Sequence, residues 1–311
     1  MDPAQAGWRY LSFETLRLGD RQPLEPLTGP ADEALVVVIG GGGLDLDLDG
    51  RRRQLVGRSG PFDGLPTAVY LPPAAAGRLV GRASAGSAAV EVAIGRAPVG
   101  AAAGQSGRAR GRAGVPIIIE PADVEVEIRG AGNATRQINH IVKPDFPAAR
   151  LLAVEVLTPS GNWSSWPPHK HDVDAMPAEA VLEELYHYRF RDPRAWGVQR
   201  LYRRADSRIG GPRDALWAVR DRDTVLVPDG YHPFVATHGY DAWYLNVLAG
   251  DRRTMACTDD PDLVWVRDRW PTMAPDPRVP LYPLATEAEA GAAGGAEAGA
   301  EASRRRSRAR R

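Results

Sequence analysis

The chain has 311 residues, 43% of them hydrophobic, enough to build one large or two moderate cores, so a globular protein is expected. Lysine plus arginine and aspartate plus glutamate both number 39, and this zero net charge gives no general attraction to nucleic acid. The single cysteine, Cys257, excludes an internal disulfide framework and, with no activating base beside it, reads as an inert thiol in a reducing compartment.

The first residues, Met1 to Gly7, lack the charged and apolar regions of a signal peptide, and no apolar run approaches a membrane span. A cytoplasmic protein without a membrane partner is therefore expected. Along the chain, short β-rich runs at 35–39, 44–48, 68–71, 89–94, 124–128, 151–156, 224–227 and 243–248 are separated by turn residues. Strict alternation in 44–48 and 124–128 predicts strands with one buried and one wet face. Asp49-Gly50, directly after the first of these, predicts a type I′ hairpin. With 33 Gly and 27 Pro supplying turns, the pattern predicts an all-β protein of antiparallel sandwiches or barrels.

The stretch 100–114 is rich in Ala, Gly and Arg without apolar periodicity, and reads as a linker. A boundary there divides the chain into domains 1–114 and 115–284. From 285 onward an Ala/Gly/Glu stretch runs into an Arg-rich end, a tail expected to be disordered and solvated rather than bound to nucleic acid.

The chemistry-bearing feature is His169-Lys170-His171. On extended chain, side chains two apart share a face, so both imidazoles can reach one ion. Pro167-Pro168 keeps the entry extended. Glu184 on the next strand and His232 after the turn at 228–230 complete three nitrogens and one oxygen, a set suited to Zn, Mn, Fe or Ni with a position left open. Alternation from Glu184 puts Tyr186, Tyr188 and Phe190 on its face and Leu185, His187 and Arg189 on the other, which excludes His187 as a ligand. His140 and His238 lack a spaced partner and read as structural, and Lys170 faces away from the ion.

These motifs resemble the cupin superfamily: His169, His171 and Glu184 match its first motif, and Pro228, Gly230 and His232 its second. The likeness is closer to the 5-deoxy-glucuronate isomerase family of bacterial inositol catabolism. It is carried by Gly161-Asn-Trp-Ser-Ser-Trp-Pro-Pro-His-Lys-His-Asp172, Leu182-Glu-Glu-Leu-Tyr-His-Tyr-Arg-Phe190, Gly197-Val-Gln-Arg-Leu-Tyr202, Val227-Pro-Asp-Gly-Tyr-His-Pro233 and Tyr244-Leu-Asn-Val-Leu-Ala-Gly250, with Arg129-Gly130, Asn133 and Arg136 upstream. Two departures stand out. The spacing from His171 to Glu184 is longer than in ordinary cupins, and Arg220-Asp-Arg-Asp223 lacks the glycine expected before the second motif.

The resemblance implies two cupin-type jelly-roll barrels in one chain, a bicupin. The first is without a metal site, because no histidine precedes His140. It further implies conversion of 5-deoxy-D-glucuronate to 5-dehydro-2-deoxy-D-gluconate, assisted through an enediolate by one divalent metal, zinc first, on His169, His171, Glu184 and His232. By position, Tyr186 and Tyr244 are the candidate catalytic groups. For the carboxylate of this sugar-acid partner, Arg200 is the first candidate and Arg129 the second. Two other readings remain open: an Fe(II) cupin dioxygenase and a non-catalytic sugar-acid-binding cupin. A homo-oligomer is compatible with all three.

Overall fold

The computed structural model describes residues 1–24, 28–48, 50–99 and 114–283. Asp49, most of the expected linker and the expected tail lie outside the described residues. Residues Met1–Leu281 form one unit; of the second, Tyr282–Arg311, only the first two residues are described.

Nearly everything regular in the first unit is antiparallel strand, as the short alternating runs and frequent turn residues predict. Five strands pair in the order Ser12–Leu18, Val90–Pro98, Asp32–Gly40, Ala68–Leu71 and Ile117–Ile119. A four-stranded sheet, Pro23–Leu24, Arg78–Ala83, Gly42–Leu48 and Arg51–Gln54, covers it. Between them lies an aliphatic core that includes Val36, Val38, Leu44, Leu46, Leu79, Val92 and Ile94. Leu48 pairs with Arg51, leaving a two-residue loop in which Gly50 has φ +72°, in keeping with the expected hairpin.

Alternation in Gly42–Leu48 is tighter than predicted. Leu44 and Leu46 enter the core, but Asp45 opposite them is also buried, because Arg52 and Arg82 both bind its carboxylate. The second alternating run follows the expectation only at its start, where Val124 is buried and Glu125 exposed. Glu125–Arg129 is an edge strand, and its Ile128 stays 40% exposed.

The remaining strands build a second set. Six pair in the order Glu125–Arg129, Arg136–Val142, Leu151–Thr158, Ala242–Ala249, Glu183–Phe190 and Thr224–Val227. Facing them are Trp163–Ser164, Phe234–Ala236, Trp196–Arg203 and Arg213–Arg220, and His169–Lys170 pairs with Thr258–Asp259. This core is aromatic, with Tyr186, Tyr188, Phe190, Phe234 and Tyr244 in mutual ring contact. The change from one sheet set to the other falls after Ile119, because Ile117–Ile119 pairs with Ala68–Leu71.

The central strands of the second set are buried on both faces, since their outer side packs on the first set. A Cβ on Gly95 would stand 2.8 Å from Val247 Cγ1. The Phe13 and His187 rings lie 5.6 Å apart. Carboxylates stitch the contact: Glu33 accepts from the backbone N–H groups of Ala149, Arg150 and Leu151, and Glu183 from those of Arg9, Tyr10 and Leu11. Glu155 forms a buried ion pair with Arg58. No helix among the described residues is long and apolar enough to cross a membrane.

Candidate functional site

Three of the four sequence-predicted ligands converge. Donor atoms of His171, Glu184 and His232, all buried, lie within 4.8 Å of one another. His171 Nε2 is 2.5 Å and His232 Nε2 3.2 Å from the same carboxylate oxygen of Glu184. His169 stands beside this trio, its ring centroid 4.7 Å from that of His232, without joining its donor set.

Local structure explains the convergence across a long insertion. Strand Glu183–Phe190 presents Glu184 inward in register with Leu248 of Ala242–Ala249. The loop between His171 and Glu184 is closed by a two-way backbone link, in which Leu182 N–H donates to the His171 carbonyl and His171 Nδ1 donates to the Leu182 carbonyl, each at 3.1 Å. Glu179 gathers the rest of that loop by accepting from Asp172 N, Val173 N and Lys170 Nζ. Lys170 is thereby turned away from the trio, as alternation predicts. His232 is held by the Tyr231–Tyr202 backbone pair and by Nδ1 donating to the Gly230 carbonyl at 2.9 Å. Gly230 has φ +83°, and a Cβ there would meet the Tyr202 carbonyl at 2.6 Å, so the turn requires glycine.

These hydrogen bonds assign the tautomers. With both Nδ1–H groups given to carbonyls, both Nε2 lone pairs face a carboxylate. His232 Nε2 is buried without a hydrogen-bond partner. Two nitrogen lone pairs and a carboxylate oxygen can share only a proton or a cation, which is the donor chemistry of a divalent metal site. The electrostatics agree. Burial by itself lifts the Glu184 carboxyl, but the His232 and His171 charges outweigh it and hold the carboxyl below its ordinary value. Burial lowers the His232 and His169 imidazoles, whereas Glu184 holds His171 above its usual range against burial. Asn246 Nδ2 donates to the other Glu184 oxygen at 2.6 Å and fixes its plane.

His171 and Glu184 of the trio line a cavity of ≈ 170 Å³ whose wall also includes His169, Tyr186, Tyr244, Arg129, Arg136 and Arg267, while His232 lies buried behind them. Tyr186 Oη is 2.9 Å from Ser165 Oγ, and burial pushes the Tyr186 phenol well above its usual range and raises Tyr244 too. Both are neutral hydroxyl donors near pH 7. Cys257 also lines the cavity, with burial pushing its thiol up to about 11, as an inert thiol would be. A larger groove of ≈ 270 Å³ beyond Lys170 contains none of the trio, and Lys170 there is paired with Asp172 and Glu179.

Arg200 is not among the residues that line the cavity. Gly197, Gln199 and Leu201 form the buried alternating set of Trp196–Arg203, and Arg200, on the other set, is forked on Asp214 at 2.8 and 2.6 Å away from the cavity. Gln199 is the inward residue and receives the Tyr188 hydroxyl. Arg129 does line the cavity, but both arms of its fork hold Glu127 at 2.7 Å. His187 lies away from the trio, against Thr224 and Phe13, and His238 is exposed. His140 meets Glu127 at 3.0 Å on the cavity wall, so its partner is structural but its place is not remote.

A family model described as the KduI/IolB family matches residues 1–266. The chain belongs to the KduI/IolB family. Relatives include the 5-deoxy-glucuronate isomerase of Geobacillus kaustophilus, 38% identical over 268 residues that cover 86% of this chain and 89% of the relative. That of Geobacillus thermodenitrificans is 37% identical over 269 residues, with the same two shares. The crystal structure of an IolB-like protein from Salmonella typhimurium matches with a TM-score of 0.74 at 32% identity, covering 86% of this chain and 94% of that one. The oxalate decarboxylase of Lactobacillus farciminis, a cupin-like neighbour, shares the fold alone, at a TM-score of 0.51 and 10% identity over 82% of this chain and 80% of that one.

Within this KduI/IolB chain, sequence reading missed Asn246 and Arg136 as site residues. Asn246 has a visible signal, because it shares a face with Tyr244 on one strand. Arg136 has none beyond its place in the family motif.

Proposed function

We propose that this KduI/IolB chain is a 5-deoxy-glucuronate isomerase, converting 5-deoxy-D-glucuronate to 5-dehydro-2-deoxy-D-gluconate in cytoplasmic myo-inositol degradation. The observation that carries this reading is the convergence of His171, Glu184 and His232 beside a cavity that His171 and Glu184 line together with protonated phenols. The names of the relatives supply the substrate.

The donor set suits one divalent ion, zinc first and manganese, iron or nickel next, with His169 assigned as the fourth donor by its closeness to His232. When bound, such an ion supplies an electrophile for the carbonyl and adjacent hydroxyl oxygens. Asn246 and the two carbonyl-anchored imidazoles keep the donors in place. Tyr186 and Tyr244 donate hydrogen bonds to oxygen as charge develops on it, while the C–H proton of the hydroxyl-bearing carbon passes to the aldehyde carbon and the hydroxyl proton to the former aldehyde oxygen. The change is internal to the substrate, so no external oxidant is consumed. We further infer two cupin-type barrels dividing after Ile119, with the chemistry confined to the second, since every histidine lies at or beyond His140.

The test is incubation of metal-analysed protein with 5-deoxy-D-glucuronate, following the aldehyde signal by NMR and dissolved oxygen in parallel. Loss of aldehyde with a new ketone and unchanged oxygen is expected. Oxygen uptake would identify a dioxygenase, and saturable binding without turnover a sugar-acid-binding module; either outcome rejects the isomerase.

A further inference from the structure

The cavity wall contains a second unsatisfied group. Arg136 opens strand Arg136–Val142 and is only 3% exposed, and its described hydrogen bonding is one N–H, Nη1 to the Ala134 carbonyl at 3.0 Å. A guanidinium has five N–H donors. Among the described residues no carboxylate lies within ion-pair distance of Arg136, although Arg129 is paired with Glu127 and Arg267 with Asp259 on the same wall. The Trp270 ring lies 5.9 Å from its Cζ, and the glycine turn at Gly130 approaches Nη1 so closely that an added Cβ would stand 3.0 Å away. The guanidinium thus lies near the Trp270 ring and against the Gly130 turn, on a side chain that lines the cavity.

A buried, oriented and unpaired arginine is stable when an anion completes it, because the planar fork matches a carboxylate through two parallel hydrogen bonds. Burial and the neighbouring Arg129 lower its pKa only to about 10, so it stays charged near neutrality. Burial is the main cause of the lowered His169 imidazole, with His232, His171 and Arg136 adding to it, and Arg136 opposes the rise that burial gives the Tyr244 phenol, so the guanidinium is within electrostatic reach of both side chains.

We propose that Arg136 is the seat of the substrate carboxylate, so that the cavity selects open-chain sugar acids by holding the acid at Arg136 and the aldehyde at the His/Glu trio. This assignment rests on the isomerase reading for the identity of the aldehyde acid. It replaces Arg200, which does not line the cavity, and takes precedence over Arg129, whose fork is already occupied.

The experiment compares kcat/KM for 5-deoxy-D-glucuronate with kcat/KM for the neutral 5-deoxyhexose that has CH2OH in place of the carboxylate, in wild type, Arg136→Met and Arg136→Lys. The acid-over-neutral ratio is expected to fall by about 100-fold or more in the Met variant, and by about 10-fold in the Lys variant, which keeps the charge but loses the fork. Equal losses on both substrates would mark a purely structural role and overturn the proposal, as would an unchanged ratio. If the Met variant does not fold, the Lys variant reads the same ratio. Calorimetric binding of D-gluconate against D-sorbitol is a separate arm. If wild type shows no turnover but Arg136→Lys loses gluconate affinity, the isomerase reading fails and the anion seat stands; if gluconate affinity is unchanged, the seat fails.

Discussion

His171 and His232 each spend Nδ1–H on a backbone carbonyl, which leaves their other nitrogens committed to whatever Glu184 shares with them. Asn246, bonded to the second Glu184 oxygen, controls that carboxylate without touching the imidazoles. Asn246→Ala is expected to weaken metal affinity by about 10- to 100-fold, as loss of a ligand-orienting partner does, measurable by competition with a chelator. At neutral pH the folded structure should be retained. His187 makes a different prediction. Burial lowers its pKa from 6.5 to about 4, so the folded state favours the neutral ring. Its stabilising contribution is complete above pH 6.5 and is lost as pH falls toward 4, by about 3 kcal/mol in total. Urea unfolding of wild type and His187→Leu between pH 7 and pH 4.5 should show a steeper decline for wild type; parallel curves would reject the assignment. Glu184 and His187 fall on opposite faces by the two-residue alternation of Glu183–Phe190, which is why the candidate donor and the excluded histidine were legible. Arg200 and Arg136 were not, because alternation gives two faces without saying which is inward, and an unpaired guanidinium has no sequence signature.

Elements hold these residues through turns that residue type decides only in part. Gly130 has φ +87°, and a Cβ there would stand 2.1 Å from the Ala134 carbonyl, so the turn into Arg136–Val142 depends on glycine. Gly130→Ala should cost about 1–3 kcal/mol and shift Arg136, lowering the acid-over-neutral preference together with thermal stability. A change in Tm without a change in preference would separate the turn from the guanidinium. The second-motif turn shows the opposite case. Where the cupin pattern expects glycine, Arg222 itself adopts φ +71°, and its guanidinium reaches Glu91 at 3.1 Å. Motif matching alone reads that position as a defect, although the chain accepts the left-handed conformation there. The long spacing before Glu184 is likewise harmless, because Glu179 and the Leu182 link fold the extra residues aside.

At the level of the whole molecule, the all-β class was written in period-two runs and turn residues, but the way the two sheet sets meet was not, since inter-sheet pairs leave no local pattern. The Arg58–Glu155 pair is buried at that meeting, with Asn139 also bonded to Glu155 at 3.3 Å. Arg58→Met leaves a buried carboxylate without its cation and should cost about 3–5 kcal/mol, or a Tm drop of roughly 10 °C by calorimetry. Adding Glu155→Met should return most of that loss, because the residual buried charge is gone. The doubly covered strands Leu151–Thr158 and Ala242–Ala249 carry one more consequence. A gene encoding only residues 114–283 would yield a polypeptide with a greasy flank and a tendency to precipitate, whereas co-expression with a separate 1–99 polypeptide should restore a soluble pair that elutes as one species. The half without histidines would then act as an obligatory chaperone in cis for the half that has them.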